Sequence, residues 1–167
     1  NYPSANIGKT ETSGIDVNFG YQTDQSKDVS FATNISFTTT DNLVKEIANG
    51  DKYIWGAGYG IPYNNLVRFQ EGESPGIFWG YIADGIFQNQ SEIDGHATQP
   101  NAQPGDIRFV DVNGDGVVNA DDRTKIGDPF SDFQIGWDFN LNVYNFDLSI
   151  RTYGTFGNDI FRGYERN

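Results

Sequence analysis

Four stretches of this 167-residue chain alternate apolar and polar side chains with a period of two, and that alternation constrains the fold more than anything else in it. Ile15, Val17, Phe19 and Tyr21 alternate with Asp16, Asn18, Gly20 and Gln22. Val29, Phe31, Thr33, Ile35 and Phe37 alternate with Ser30, Ala32, Asn34 and Ser36. Phe133, Ile135, Trp137, Phe139, Leu141 and Val143 alternate with Gln134, Gly136, Asp138, Asn140 and Asn142. In the fourth, Phe146, Leu148 and Ile150 alternate with Asp147, Ser149 and Arg151. Successive side chains of a strand point to opposite faces, so each stretch reads as a strand with one apolar face. The pattern predicts an all-β, antiparallel fold with strands near 14–22, 29–38, 133–143 and 146–153.

The connections are unequal. A polar turn from Thr23 to Asp28 joins the first pair, and Tyr144-Asn145 joins the second. Between the pairs lies an excursion over 39–132. In a simple meander the two short turns fall at one end of the sheet and the long connection at the other, as outer-membrane barrels arrange periplasmic turns and extracellular loops. The polar faces are rich in Asn, Asp, Ser and Gly, which suits a water-filled lumen, but a soluble sandwich with one wet face alternates in the same way. Periodicity alone leaves both open. Because the smallest barrels need about 8 strands, the barrel reading makes these four a section of a larger wall.

Within the excursion, Asn49-Gly50 signals a turn after a short helical stretch over 42–48. The run from Ile77 to Phe87 is dense in aromatics and glycine and reads as one or two strands or a packed loop core. The polar stretch from Asn89 to Gly105, with Pro100 and Pro104, reads as irregular.

Charge narrows the partners. Against 11 Lys and Arg stand 23 Asp and Glu, for a formal net charge of −12. Such a surface repels phosphate, so nucleic acid is a poor partner. With no cysteine, disulfides and thiolate metal sites are excluded.

The sharpest local motif runs from Asp111 to Asp122. Asp111, Asn113 and Asp115 occupy positions one, three and five of an EF-hand-like loop, Gly116 the sharp turn at six, Val117 the carbonyl position at seven, and Asp122 position twelve. Ca²⁺ prefers hard oxygen ligands, and odd spacing in a tight loop converges them. The other reading is a turn held by side-chain to backbone hydrogen bonds, without metal. A calcium ion here would be structural, with a dissociation constant of about 10⁻⁴ to 10⁻³ M.

No catalytic motif survives inspection. Gly72-Glu73-Ser74-Pro75-Gly76 has the letters of a nucleophile elbow, but the residue after the serine must donate its N–H, and Pro75 has none. His96 is the single histidine and reads as a solvated loop residue. Gly56-Ala57-Gly58-Tyr59-Gly60 lacks the dinucleotide-binding spacing and a βαβ context. No spacing marks a carboxylate pair for glycoside hydrolysis. The chain is therefore read as a non-enzyme. Trp55, Tyr59, Trp79 and Tyr81 are candidates for stacking on a sugar, or for a small core of the excursion itself.

The order of short motifs resembles a C-terminal stretch of SusC/RagA-like TonB-linked outer-membrane transporters. It runs from Asn6-Ile7-Gly8 and Ser13-Gly14-Ile15-Asp16 through Gly72 and Pro75-Gly76-Ile77-Phe78-Trp79-Gly80-Tyr81 to Asp84-Gly85-Ile86-Phe87-Gln88. Pro104-Gly105-Asp106-Ile107-Arg108-Phe109, the loop from Asp111, and Asp122-Arg123-Thr124-Lys125-Ile126-Gly127-Asp128-Pro129 follow. Phe146-Asp147-Leu148-Ser149-Ile150 and Gly157-Asn158-Asp159-Ile160 close it. The resemblance implies a TonB-dependent barrel in the outer membrane, in contact with lipid. Such a barrel imports glycans or oligopeptides with a SusD-like surface lipoprotein, with the 39–132 excursion extracellular. The chain carries no plug and no TonB box, so it is not expected to transport by itself. A soluble calcium-stabilised β-module for carbohydrate binding or adhesion is the alternative.

Overall fold

A computed structural model of the chain describes residues 8–56 and 65–162. The strands are β1 (Gly8–Gln22), β2 (Val29–Ile47), β3 (Tyr53–Trp55), β4 (Val67–Gln70), β5 (Ile77–Gly80), β6 (Ala83–Ile86), β7 (Ile107–Phe109), β8 (Thr124–Gly127), β9 (Phe133–Val143) and β10 (Phe146–Phe156). One short helix, α1 (Gln90–Asp94), and two 3₁₀ turns, Ala48–Gly50 and Ala120–Asp122, complete the described elements.

The four long strands form one antiparallel meander in the order β1-β2-β9-β10. Its register puts the apolar sets on a single face. Phe19 lies opposite Ile35, Ile35 opposite Trp137, and Val143 opposite both Val29 and Phe146. A one-residue slip in any pair would send that strand's apolar set to the polar side. The two short turns meet at one end, where Tyr144 N–H donates to the Asp28 carbonyl at 2.6 Å. Tyr144 takes a φ of 52° there, as the first central residue of a tight hairpin of the primed kind.

The faces differ in what they satisfy. The apolar face is open, with Ile15 65 % and Phe19 66 % exposed. Phe37, Phe133 and Phe156 stack along its loop end, at centroid distances of 5.8 and 4.8 Å. Tyr144 and Phe146 stand exposed at the turn end. The opposite face is cross-linked by polar side chains. Arg151 is ion-paired with Asp138 directly across the β9–β10 pair. Ser149 Oγ donates to Asn140 Oδ1 at 2.7 Å and Tyr153 OH to Gln134 Oε1 at 2.7 Å. Along β2 the apolar face runs from Val29 to the level of Thr39, which lies opposite Ile15, about 33 Å at a strand's usual rise, or about 25 Å high at a tilt of about 40°. That is the height of the apolar band on a membrane barrel.

The segment between β2 and β9 folds against the end of this wall. It holds a small antiparallel sheet, β3-β4-β5-β8, and a β6-β7 ribbon. Ile77 is fully buried and Phe87 1 % exposed, and Val118, Val44 and Ile47 are buried as well. The last two belong to β2. Val44 N–H donates to the Glu73 carbonyl and Gly72 N–H to the Val44 carbonyl, both at 2.9 Å, while Ile47 N–H is taken by Glu71 Oε1 at 2.8 Å.

Three local expectations change. The helix expected over 42–48 is strand as far as Ile47, because Asn42, Leu43 and Val44 pair with Thr12, Glu11 and Thr10 of β1. Helix propensity is weak, and a waiting partner strand overrides it. The excursion therefore leaves the sheet later than residue 39, and β1 begins at Gly8 rather than near 14. The stretch from Asn89 to Gly105 is not wholly irregular. Asn89 caps α1 by accepting from Glu92 N–H at 3.1 Å. Nor is His96 merely solvated, since its ring stands edge-on to the buried Phe87 at 5.3 Å. The run from Ile77 to Phe87 supplies β5 and β6, and Asn6 and Ile7 of the resemblance lie outside the described residues.

Candidate functional site

Two clusters in the loop region hold the residues singled out from the sequence. The first is built on the β3-β4-β5 sheet. Tyr53 lies opposite Gln70 and Trp55 opposite Arg68, so these four side chains share one face. Trp79 joins them from β5, where its N–H donates to the Leu66 carbonyl at 2.8 Å. The Arg68 guanidinium sits between two rings, its Cζ 3.7 Å from the Tyr53 centroid and 3.8 Å from that of Trp79. Trp55 lies 5.6 Å away. Arg123, just after the Asp111–Asp122 loop, also approaches the Trp55 ring, 5.4 Å from its centroid and 6.0 Å from that of Tyr81. One of its nitrogens donates to the Trp79 carbonyl at 3.0 Å and to that of Asn65. Tyr81 packs against Phe109 at 5.1 Å.

The electrostatics are uneven. Neither arginine has an ion-pair partner among the described residues, whereas Lys125 and Arg108 each bridge two carboxylates. Among the described residues, Arg68 Nε is buried without a hydrogen-bond partner, and so is Gln70 Oε1 two positions along the same strand. Burial pulls the Arg68 guanidinium below its usual range; the neighbouring Tyr53 opposes this and the positive charge of Arg123 adds to it. Arg68 stays charged, because an arginine so far from neutrality keeps its proton. Of the aromatic candidates, Trp55, Trp79 and Tyr81 are thus drawn together around two arginines, and Tyr59 lies outside the described residues. Tyr53 and Arg68 were not singled out from the sequence, because strands of three or four residues are too short to show a period, and Arg123 was not because it lies between a 3₁₀ turn and β8, in no strand at all.

The second cluster is the loop from Asp111 to Asp122. Asp111 accepts from Gly114 N–H at 2.7 Å and Gly116 N–H at 2.8 Å. Asn113 accepts from Asp115 N–H at 2.9 Å, and Asp115 from Val117 N–H at 2.8 Å. Gly116 has a φ of 86°, the left-handed turn its position requires. Asp122, fully buried, receives Val112 N–H and Asn113 N–H on one oxygen and Asn119 N–H on the other, at 2.9, 3.3 and 2.7 Å. The bond from Asn119 first, and those from Asn113 and Val112 with it, hold its carboxyl below the usual carboxylate range against the opposing effect of burial. The loop closes on its own amides. Its donors are the hard oxygens Ca²⁺ takes, yet among the described residues no three acidic or histidine side chains are gathered as a metal cluster.

A wall of antiparallel strands with an open apolar face, a cross-linked polar face, short turns at one end and a folded loop region at the other has the architecture of an outer-membrane transporter barrel. No family model matches the chain. It is 29 % identical over 157 residues to TonB-dependent receptor P3 of Formosa agariphila, covering 93 % of this chain and 16 % of that receptor. It is 24 % identical over 164 residues to TonB-dependent receptor SusC of Bacteroides thetaiotaomicron, covering 97 % of this chain and 15 % of SusC. Its fold superposes on the solved RagAB peptide transporter with a TM-score of 0.63 at 14 % identity, over 88 % of this chain and 15 % of that one. The resemblance drawn from the motifs stands: over nearly its whole length the chain is similar to a segment of SusC/RagA-like TonB-dependent receptors, and it spans about a sixth of the curated relatives it matches.

Proposed function

We propose that this chain forms part of the wall and outward loop region of a TonB-dependent outer-membrane transporter. In that reading the transporter imports glycans or oligopeptides together with a SusD-like surface lipoprotein. The observation that carries the reading is the pair of faces on the β1-β2-β9-β10 sheet. An open apolar face about 25 Å high, tipped by aromatics, suits lipid. Behind it, Asp138, Arg151, Asn140 and Gln134 make a face that suits a wet lumen. The short turns then lie toward the periplasm, and residues 48–132 lie outside the cell, where substrate and lipoprotein are met. The relatives' names support a receptor or transporter rather than an enzyme. A structural Ca²⁺ in the Asp111–Asp122 loop belongs to this proposal, supported by the ligand types at positions one, three, five, seven and twelve.

An immunoblot of cell fractions with an antibody against residues 48–132 tests the reading. A band much larger than 18.6 kDa in the outer membrane, co-purifying with a lipoprotein, is the expected result. A soluble or secreted band near that mass would replace the transporter with a free β-module.

A further inference from the structure

We propose that Arg68 and Arg123 form an oxyanion-binding site, one that takes a carboxylate or sulfate group. It deepens the transporter reading and rests on it, because it names the chemical class of molecule the outward region would recognise.

The argument starts from what Arg68 lacks. A guanidinium has five N–H donors in one plane and can bond only through its edge. Tyr53 and Trp79 cover both faces of this one at 3.7 and 3.8 Å. Stacking satisfies the faces and leaves the donors aimed sideways. Among the described residues no carboxylate pairs with them, and Nε is buried and unpartnered. A buried donor left unmade is costly, and more so on a charged group. An anionic partner meeting the edge of this guanidinium would offset that cost.

Arg123 indicates the sign of that partner. A second guanidinium beside the same Trp55 ring repels the first, and among the described residues neither is ion-paired with a carboxylate. An anion between them would relieve both. The fork of an arginine matches the two oxygens of a carboxylate or sulfate, where a neutral hydroxyl would use one donor only. Stacked rings hold Arg68 rigid, so little side-chain entropy is lost when the anion arrives. The unpartnered Gln70 Oε1 on the same face would accept an O–H or N–H beside the acid group. The chain's formal net charge of −12 does not forbid this, since charges beyond about 8 Å are largely screened at physiological salt.

The test is calorimetric titration of the full-length receptor in detergent, at fixed ionic strength. The probes are sodium sulfate, sodium glucuronate, a glucuronate oligosaccharide and its neutral glucose counterpart. Location in the outer membrane is checked first, so failure of the transporter reading shows in fractionation and failure of this site shows in titration. The expected result is saturable binding of the acidic probes, weakened at least tenfold in Arg68→Gln and in Arg123→Gln. Arg68→Lys, which keeps the stacked cation but loses the fork, is expected to weaken binding as well, and a wild-type melting temperature in each variant shows that the fold is kept. Tighter binding of the acidic oligosaccharide than of glucuronate assigns the anion to a larger molecule; equal binding assigns it to a free small anion. Absence of saturable binding by any acidic probe, equal binding of the neutral oligosaccharide, or full affinity in Arg68→Gln overturns the site.

Discussion

Trp137 on β9 donates its indole N–H to Thr33 Oγ1 on β2 at 2.9 Å, on the apolar face of the sheet. The two are diagonal neighbours, Trp137 lying directly opposite Ile35. Within a lipid-facing band no water is available to take an unpaired indole N–H. Thr33→Val keeps the β-branched shape and removes only the acceptor. The expected loss is about 1–2 kcal/mol, a hydrogen bond and its unmet donor, read from urea unfolding of the receptor refolded in lipid vesicles. Unchanged stability would show that the indole finds another acceptor and that this pair does not tie β2 to β9.

Neighbouring residues of β2 should differ sharply in their tolerance of charge. Ile35 is on the open apolar face near the middle of the band, and Asn34 faces the opposite way, across from Asp138. Arginine at a lipid-facing site near the midplane costs about 2–4 kcal/mol, and lumen positions are far more permissive. Ile35→Arg should therefore lower the amount of heat-modifiable barrel in the outer membrane severalfold, while Asn34→Arg, beside the Asp138 carboxylate, should leave it near wild type. Equal loss in both variants would mean that the two faces are not lipid and lumen.

What could be read ahead of the structure follows from length and repetition. Strands of eleven residues or more repeat their alternation often enough to be unambiguous, and their turns at Thr23–Asp28 and Tyr144-Asn145 set the hairpins. The far ends of β1 and β2 were hidden because Thr10, Thr12 and Asn42 are polar, and only their mutual pairing shows them to be strand. The loop region was less legible still. Arg68 gains its meaning from Tyr53 and Trp79, fifteen positions before and eleven after it, and no local pattern announces such a meeting. The Asp111–Asp122 motif was visible because all its parts lie within twelve residues.

Calcium should add to that loop's stability without being needed for its shape. Its side chains already close on the amides of Gly114, Gly116, Val117 and Asn119. With a dissociation constant near 10⁻³ M, about 10 mM Ca²⁺ would stabilise the protein by about 1.4 kcal/mol. Thermal unfolding in Ca²⁺ against EDTA should show a modest rise, absent in Asp115→Ala. Equal melting of wild type in both solutions would leave the loop a metal-free turn.

Acid should weaken the same loop through Asp122. Three backbone N–H groups favour its charged form, so the folded protein holds its proton more weakly than the unfolded chain does. A carboxyl depressed on folding contributes fully above its unfolded value, near pH 3.9. That contribution is lost as the pH falls from there through the lower folded value. In EDTA, wild type is therefore expected to be more stable than Asp122→Asn from pH 5 upward. The difference should shrink below about pH 4. Amide exchange at Asn119, whose N–H donates to Asp122 Oδ2 at 2.7 Å, localises the effect. It should quicken in Asp122→Asn at pH 6, where an amide N–H₂ meets that donor in place of an oxygen. Protection of Asn119 equal to wild type at that pH would mean that the Asp122 carboxylate does not hold the loop closed.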